Sequence, residues 1–114
     1  MLNRLFGHGS VPTLEALLHY ASARQRVLAA NIANVDTAGY TARDLPDFRR
    51  ALSRSLEAGP AADAGPLKPN GNNVDLEIEL SKMARNSALH GTAAALLAQQ
   101  FTLLREAIAG HVIS

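Results

Sequence analysis

The side chains of this 114-residue sequence that offer metal-binding or proton-transfer chemistry are four histidines, at positions 8, 19, 90 and 111. They lie far apart along the chain, and none belongs to a His-x-x-x-His or Glu-x-x-His pair. Zinc sites need such ligands close together on one helix face or in one loop. We therefore expect His19 to be a surface or partly packed residue, and His90 to be a tolerated polar residue within a helix.

Asp75, Glu77 and Glu79 form an acidic group at the start of a predicted helix. Catalytic carboxylate pairs need a cleft that raises one pKa, whereas acidic residues in a first turn complement the helix dipole without any chemistry. The chain has no cysteine, which excludes thiolate metal sites and cysteine nucleophiles. The glycine-rich segment 7–10 lacks the Lys-Ser/Thr of a phosphate loop. We expect no enzyme activity, metal, cofactor or small-molecule substrate.

Arg43, Arg49, Arg50 and Arg54 make the only basic cluster. The net charge is only +1, which gives no basis for a phosphate-binding surface. Aromatic residues make up 4% of the chain, so few side chains could stack on bases. We expect a solvated face or a rim of ion pairs, and no nucleic-acid partner. A DNA-binding function would require strongly salt-dependent binding through Arg49, Arg50 and Arg54.

Apolar residues at near-heptad spacing predict a long helix at each end of the chain. The first helix is predicted over 13–36 and the second over 73–110. Between them, 37–73 is predicted to hold a turn, a short helix over 46–56 and a loop rich in Gly and Pro. The residues predicted to form the helix seams are Leu14, Leu18, Leu28, Ile32, Leu80, Met83, Leu97, Phe101, Leu104 and Ile108.

The predicted fold class is all-α, with residues 1–114 forming one elongated unit whose terminal helices pack as a coiled-coil-like hairpin. A hairpin buries one seam of each helix only, and apolar residues beside the seams widen both faces. A self-contained three-helix bundle is the alternative, but its third helix, 46–56, is too short to cover a seam of five heptads. We therefore predict a fold that depends on assembly with neighbours.

The N-terminal segment and the apolar content predict how the chain is sorted in the cell. Residues 1–10 carry one Arg but no continuous apolar stretch, so no Sec-type signal peptide is expected. No window approaches the roughly 20 apolar residues of a membrane span. If the protein leaves the cytoplasm, it uses another route.

The segment 28–44 carries a more specific pattern. Its residues Asn31, Ala33, Asn34, Thr37, Gly39 and Tyr40 match the pattern A-N-x-A-N-x-x-T-P-G-Y, with Ala38 in place of Pro. The pattern resembles the N-terminal signature of the flagellar rod, hook and hook-associated axial proteins. Together with Arg43, Asp44, Phe48 and the segment 71–75, it is most similar to proximal rod proteins, although the chain is short for the family. The two Asn side chains can bond backbone or a neighbouring helix, Gly39 can turn left-handed, and Tyr40 suits an intersubunit contact.

The resemblance implies a structural subunit of the proximal rod, the drive shaft that crosses the periplasm in the flagellar basal body and transmits torque. It also implies export by the flagellar type III apparatus, which needs no Sec signal, and terminal helices that assemble as an inner coiled-coil layer. The implied partners are other copies of the chain, the adaptor FliE, the rod protein FlgC and other axial rod proteins, the MS-ring region and the export apparatus. The alternative is a cytoplasmic helical adaptor or chaperone of a secretion system.

Overall fold

The computed structural model describes residues 10–53, 60–63 and 65–113. Within them the chain order is α1 (Ser10–Ala33), β1 (Arg43–Asp44), α2 (Phe48–Ser53), β2 (Ala61–Ala62) and α3 (Leu76–Ile113). The molecule measures 70 × 23 × 18 Å. The predicted all-α, elongated fold with long terminal helices and a short middle helix is confirmed.

Helices α1 and α3 pack against each other as an antiparallel hairpin. Asn31 of α1 contacts Glu79 of α3, and ten residues earlier the carbonyl of Ala21 accepts a hydrogen bond from Asn86. At a rise of 1.5 Å per residue, the 24 residues of α1 span about 36 Å and the 38 residues of α3 about 57 Å. The C-terminal part of α3 therefore extends well beyond the start of α1.

The buried row of α3 differs from the predicted seam. Among residues 76–110 of this helix, Glu79, Asn86 and Ala93 are buried, one position before the predicted row at 80, 87 and 94. Of the predicted seam residues, Met83 and Leu97 are half-buried. The others are between 46% and 58% exposed, namely Leu80, Phe101, Leu104 and Ile108. Leu80 lies one residue, about 100° around the helix, from the buried Glu79, and Phe101, Leu104 and Ile108 lie where α3 extends beyond the start of α1.

The seam of α1 is closer to the prediction. Leu28 is fully buried, and Leu14, Leu18 and Ile32 are half-buried. Ala21, a member of the same near-heptad row, is also fully buried. Small and branched apolar side chains at this spacing allow α3 to approach closely, which fixes the position of the polar residues described below.

The helix bounds shift by a few residues. Helix α1 begins at Ser10 and ends at Ala33, three residues before the predicted end, and turns follow over 34–36. Helix α3 begins at Leu76 instead of 73, because Asn72 and Asn73 bond other segments, and it continues through Gly110 to Ile113. Helix α2 spans Phe48–Ser53, whereas 54–56 of its predicted range lie outside the described residues.

The predicted loop 59–73 contains a strand that the sequence did not indicate. Strand β2 pairs antiparallel with β1, with Arg43 opposite Ala62 and Asp44 opposite Ala61. This two-residue ladder joins the segment after α1 to the segment before α3. Among the helices of the described ranges, none combines the length and the apolar character that a membrane crossing requires.

Candidate functional site

Asn31 lies fully buried near the end of α1 and makes four hydrogen bonds. Its Nδ2 donates to the Arg43 carbonyl at 2.6 Å and to Glu79 Oε2 at 2.9 Å. Its Oδ1 accepts from the Arg43 amide at 2.9 Å and from the Tyr40 hydroxyl at 3.0 Å. The two hydrogen bonds that Nδ2 donates and the two that Oδ1 accepts use nearly all the hydrogen-bonding capacity of the side chain. This one residue therefore ties α1, the extended segment 40–43 and α3 together.

Asn34 organises the turn that follows α1. Its Nδ2 donates to the Ala30 carbonyl at 2.8 Å, which also accepts from the Asn34 amide at 3.1 Å near the helix end. Its Oδ1 accepts from the Thr37 hydroxyl at 3.0 Å. The Tyr40 amide then donates to the Thr37 carbonyl at 3.2 Å, and Gly39, third in this four-residue turn, has φ +75°. The predicted left-handed Gly39 is confirmed.

Asn72 fastens the segment before α3 to the end of α1. Its Nδ2 donates to the carbonyls of Asn34 and Thr37 at 2.8 and 2.7 Å, and its Oδ1 accepts from the Val74 amide at 2.7 Å. Asn72 is fully buried, so these bonds satisfy groups that water does not reach.

Asn73 makes the corresponding contacts with the residue before β1 and the residue after β2. Its Oδ1 accepts from the Ala42 amide at 2.6 Å, and its Nδ2 donates to the Asp63 carbonyl at 3.0 Å. We call Asn31, Asn34, Asn72 and Asn73 together the asparagine junction. An amide side chain can bond two backbones at once, which suits a place where three irregular segments meet a helix pair.

The junction brings two glycines into close approach. Gly71 has φ +81°, and a Cβ at this position would stand 3.4 Å from the Gly39 Cα. The Gly39 amide donates to the Asn70 carbonyl at 2.9 Å. Left-handed backbone at both positions favours glycine, and the tight contact leaves little room for a side chain at 71.

A charge cluster lies beside the junction. Arg24 on α1 makes a two-bond ion pair with Asp44, at 2.9 and 3.0 Å, and Lys82 on α3 lies 3.5 Å from the same carboxylate. Lys82 also contacts Asp63 at 3.4 Å and Glu79 at 3.9 Å. Helices α1 and α3 thus hold β1 and the residue after β2 between two cations.

The pKa values in this cluster reflect the pairing. Burial raises the pKa of Asp44, but the hydrogen bonds and charge of Arg24, the Leu45 amide and Lys82 outweigh it and hold that pKa below its usual value. The hydrogen bond to Asp44 raises the pKa of Arg24, although burial opposes it. The ion pair is therefore fully charged at neutral pH.

Tyr20 anchors α2 at the other end of the middle segment. Its hydroxyl donates to the Pro46 carbonyl at 2.6 Å, and its ring meets Phe48 edge-to-face with centroids 5.5 Å apart. Burial raises the pKa of Tyr20, with smaller effects from neighbouring charges, so the hydroxyl stays a neutral donor. Edge-to-face pairs of this kind stabilise by about 1 kcal/mol beyond the area they bury.

The hairpin seam contains a second polar contact at Asn86. Its Nδ2 donates to the Ala21 carbonyl at 2.8 Å and to Gln25 Oε1 at 2.7 Å, while Gln25 Nε2 donates to the Ser87 hydroxyl. Its buried Oδ1 has no hydrogen-bond partner among the described residues. A polar residue within an apolar seam fixes the register of two helices at some cost in stability.

These contacts show which predicted residues come together. Asn31, Asn34, Thr37, Gly39 and Tyr40 form one connected network, whereas Ala33 lies exposed beside it. Tyr40 was predicted to suit an intersubunit contact, and the structure gives its hydroxyl a partner inside the chain.

Two residues have roles that the sequence reasoning missed. Glu79 was ascribed to the helix dipole alone, but it is buried against Asn31 and Lys82. The pairing of Arg24 with Asp44 was not anticipated from the sequence. Two asparagines directly after Gly71, at positions 72 and 73, were the sequence pattern that could have indicated the other half of the junction.

The chemistry of the site is structural. Its buried polar groups bond one another, and the residues that the structure describes contain no group of three or more side chains arranged to hold a metal ion. The exposed His19 and His90 take no part in it. The arrangement fastens residues 40–44, 63 and 70–74 to the helix hairpin.

Comparison with known proteins places this geometry in a family. A family model described as flagella basal body rod protein matches residues 18–41, the stretch that contains Asn31, Asn34 and Gly39. The flagellar basal body rod protein FlgB of Salmonella typhimurium is 30% identical, and the match covers 96% of this chain and 99% of that protein.

Two further relatives carry the same name. FlgB of Escherichia coli is 32% identical over 73% of this chain and 80% of its own length, and FlgB of Proteus mirabilis is 34% identical over 61% and 72%. These relatives are named as rod proteins, a structural class and not an enzyme class. From the identities, the coverage and the matched helix end, the chain belongs to the FlgB family of flagellar basal body rod proteins.

Proposed function

We propose that this chain is a proximal rod subunit that assembles through its two terminal helices and transmits torque through their packing. As a member of the FlgB family it is a structural subunit of the flagellar basal body rod. The observation that carries the finer proposal is the exposed apolar surface of α3. Phe101, Leu104 and Ile108 lie on one side of a helix segment whose residues 101–110 are all exposed.

This surface has the character of an interface. Phe101, Leu104, Arg105 and Ile108 line an open groove, and Leu96 and Leu103 expose further apolar area on the other side of the helix. Monomeric proteins rarely leave contiguous apolar patches of this kind in water. Helices with an apolar row gain stability when neighbours cover it, at about 25 cal/mol for each Å² buried.

The fastening of the strand pair to the hairpin supports the mechanical part of the proposal. A rod that carries torque needs subunits that resist internal shear. The asparagine junction and the Arg24–Asp44 pair fasten the strand pair to both long helices. A force applied to the strand pair therefore passes to α1 and α3.

The partners proposed are other copies of this chain and other axial rod proteins, with the adaptor FliE and the rod protein FlgC as neighbours along the axis and the MS ring at the base. We propose the periplasmic rod as its place in the cell and the flagellar export apparatus as its route there.

Charge placed in the apolar row tests the proposal. Leu104→Glu and Phe101→Glu are expected to abolish swimming while the protein is still exported, because a carboxylate in a buried seam costs several kcal/mol. Thr102→Glu is the matched control, since it adds the same charge on another side of α3. Motility in soft agar and immunoblots of exported protein are the measurements. Normal swimming of the Leu104→Glu strain would contradict assembly through this surface.

The alternative function, a cytoplasmic adaptor or chaperone of a secretion system, predicts a different location. Isolated basal bodies are expected to contain the chain, and the cytoplasmic fraction is expected to hold only the unexported pool. A chain that is absent from basal bodies, with all of it in the cytoplasm, would favour the alternative.

A further inference from the structure

A groove of about 890 Å³ lies where the segment 65–68 passes the first turns of α3. Its apolar surface includes Leu67, Leu76 and Ile78, all of them exposed. Because these exposed apolar side chains lie on two walls of one groove, an apolar side chain of a partner bound there would be covered from both sides.

The rim of the groove is acidic. Asp75 and Glu77 are exposed at its edge, whereas Asp63 and Glu79 are paired with Lys82. Lys68, the other cation of the lining, donates to the Val35 carbonyl at 3.4 Å. Glu77 has no ion-pair or hydrogen-bond partner within the described part of the chain. The groove thus combines apolar walls with the exposed Glu77 carboxylate at its edge, which suits a partner that places a cation beside an apolar side chain.

Helix α2 of the same chain presents that combination. Arg49 and Leu52 are both exposed and are three residues apart, which places them side by side on one helix face. The opposite face of α2 packs on the rest of the chain, since Ala51 is buried and the Phe48 ring contacts Tyr20. The Arg49–Leu52 face is therefore left without cover from α1.

The groove and the α2 face do not meet within one chain. Helix α2 packs at Tyr20, and the groove lies beside Glu79, which contacts Asn31. Tyr20 and Asn31 are separated along α1 by about 16 Å at 1.5 Å per residue. The two surfaces are complementary in charge and in apolar character, but they can contact each other only when they belong to different molecules.

We propose that the Arg49–Leu52 face of one copy docks in the Leu67–Leu76–Ile78 groove of the next copy, with Arg49 beside Glu77. This inference rests on the proposed function, which supplies neighbouring copies. The contact joins two different patches, so it is heterologous, and a heterologous contact that does not close generates an open helical array. A short helix in an apolar groove with a charged rim is an established mode of protein recognition.

Cysteine cross-linking tests the contact directly, because the chain has no cysteine of its own. A chain carrying both Leu52→Cys and Ile78→Cys is expressed as the only copy in motile cells, and isolated basal bodies are treated with a mild oxidant. Disulfides require Cα atoms within about 7 Å, whereas within one chain no Cα of α2 lies within 8 Å of a Cα of α3. The expected result is a ladder of covalent dimers, trimers and higher oligomers on a non-reducing gel.

The single variants Leu52→Cys and Ile78→Cys are the matched controls, since a chain with one cysteine forms no oligomer beyond a dimer. A double variant present in basal bodies without a ladder would overturn the docking while leaving the proposed function standing. Adducts to a different rod protein in place of the ladder would also overturn it. A chain absent from basal bodies, in the wild type as well, would instead overturn the proposed function.

Charge exchange gives an independent measurement. Arg49→Glu and Glu77→Arg are each expected to reduce swimming by several-fold, and the two changes together are expected to restore it. Two single defects that remain additive in the combined strain would contradict a direct contact between these residues.

Discussion

Replacing Asn31 by Asp tests whether the asparagine junction depends on one hydrogen-bond donor. The change keeps the shape and both acceptor bonds, from the Arg43 amide and the Tyr40 hydroxyl. It removes the donor that serves the Arg43 carbonyl and Glu79, and it places a second carboxylate where Nδ2 stood, 2.9 Å from Glu79 Oε2. Two ionised carboxylates at that distance do not persist in a buried site, so one of them takes up a proton.

The magnitude follows from the cost of that proton. Protonating a carboxyl of ordinary pKa near 4.3 at pH 7 costs about 3.7 kcal/mol, at 1.36 kcal/mol per pH unit. The lost bond to the Arg43 carbonyl adds about 1 kcal/mol. We therefore expect Asn31→Asp to destabilise the junction by about 4 to 5 kcal/mol at pH 7, a large part of the stability of a small domain.

The pH dependence has a definite sign. The shared proton raises the folded-state pKa of the carboxyl pair, so the folded variant binds more protons than its unfolded chain near neutral pH. Its deficit relative to wild type must then shrink as the pH falls, by about 1.4 kcal/mol per unit down to roughly pH 4.3. At pH 5 about 2.7 kcal/mol of the loss at pH 7 should be recovered.

Amide hydrogen exchange at Ala42 is a suitable measurement, because this amide is buried against Asn73 and exchanges when the junction opens. Asn34→Asp is the matched control: it loses one bond to the Ala30 carbonyl and should cost about 1 kcal/mol without a steep pH slope. Adding Glu79→Gln to Asn31→Asp exchanges donor and acceptor and should restore most protection. Equal protection of the two Asp variants at pH 7, or a loss independent of pH, would refute the reasoning.

Three further predictions concern the segments around the junction. Because Arg24 lowers the folded-state pKa of Asp44, the pair should stabilise the fold above about pH 4 and lose that effect as the pH falls below it; circular dichroism of wild type should show an acid-induced loss that Asp44→Asn lacks. Gly39→Ala should lower the melting temperature, because an Ala in this left-handed conformation is strained by about 1–2 kcal/mol even though no atom crowds the site. Gly91→Ala within α3 should raise the melting temperature, because Ala favours the helix more than Gly does. Ala38→Pro should stabilise by about 0.4–1 kcal/mol in urea unfolding, since position 38 precedes the left-handed Gly39 in the turn; a loss in this variant would show that Thr37 cannot take the extended geometry that a following Pro demands.

The helices were predictable because their signal is local and repeated. Apolar residues every three to four positions identified both long helices, and the bounds missed by only a few residues. The inner face of α3 was not predictable by the same rule. Its buried positions include Glu79 and Asn86, which an apolar periodicity does not select, so the predicted row lay one residue away from the row that faces α1.

The junction was half predictable, for a physical reason. Asn31, Asn34 and Gly39 lie close together in sequence at a helix end, where orphan carbonyls and a left-handed turn need those residue types. Their partners Asn72, Asn73 and Glu79 are distant in sequence, and no local rule pairs them. The short strand pair of β1 and β2 was missed because two residues carry no periodicity.

The same facts explain why the apolar row of α3 is better suited to neighbours than to α1. Polar contacts at Asn31–Glu79 and Gln25–Asn86 set the register of the hairpin, and each is satisfied only in one alignment of the two helices. Leu80, outside that contact, and Phe101 and Leu104, beyond the start of α1, remain exposed for a second helix pairing. A subunit whose internal register is fixed by hydrogen bonds and whose outer surface is apolar can join an array without unfolding its own hairpin.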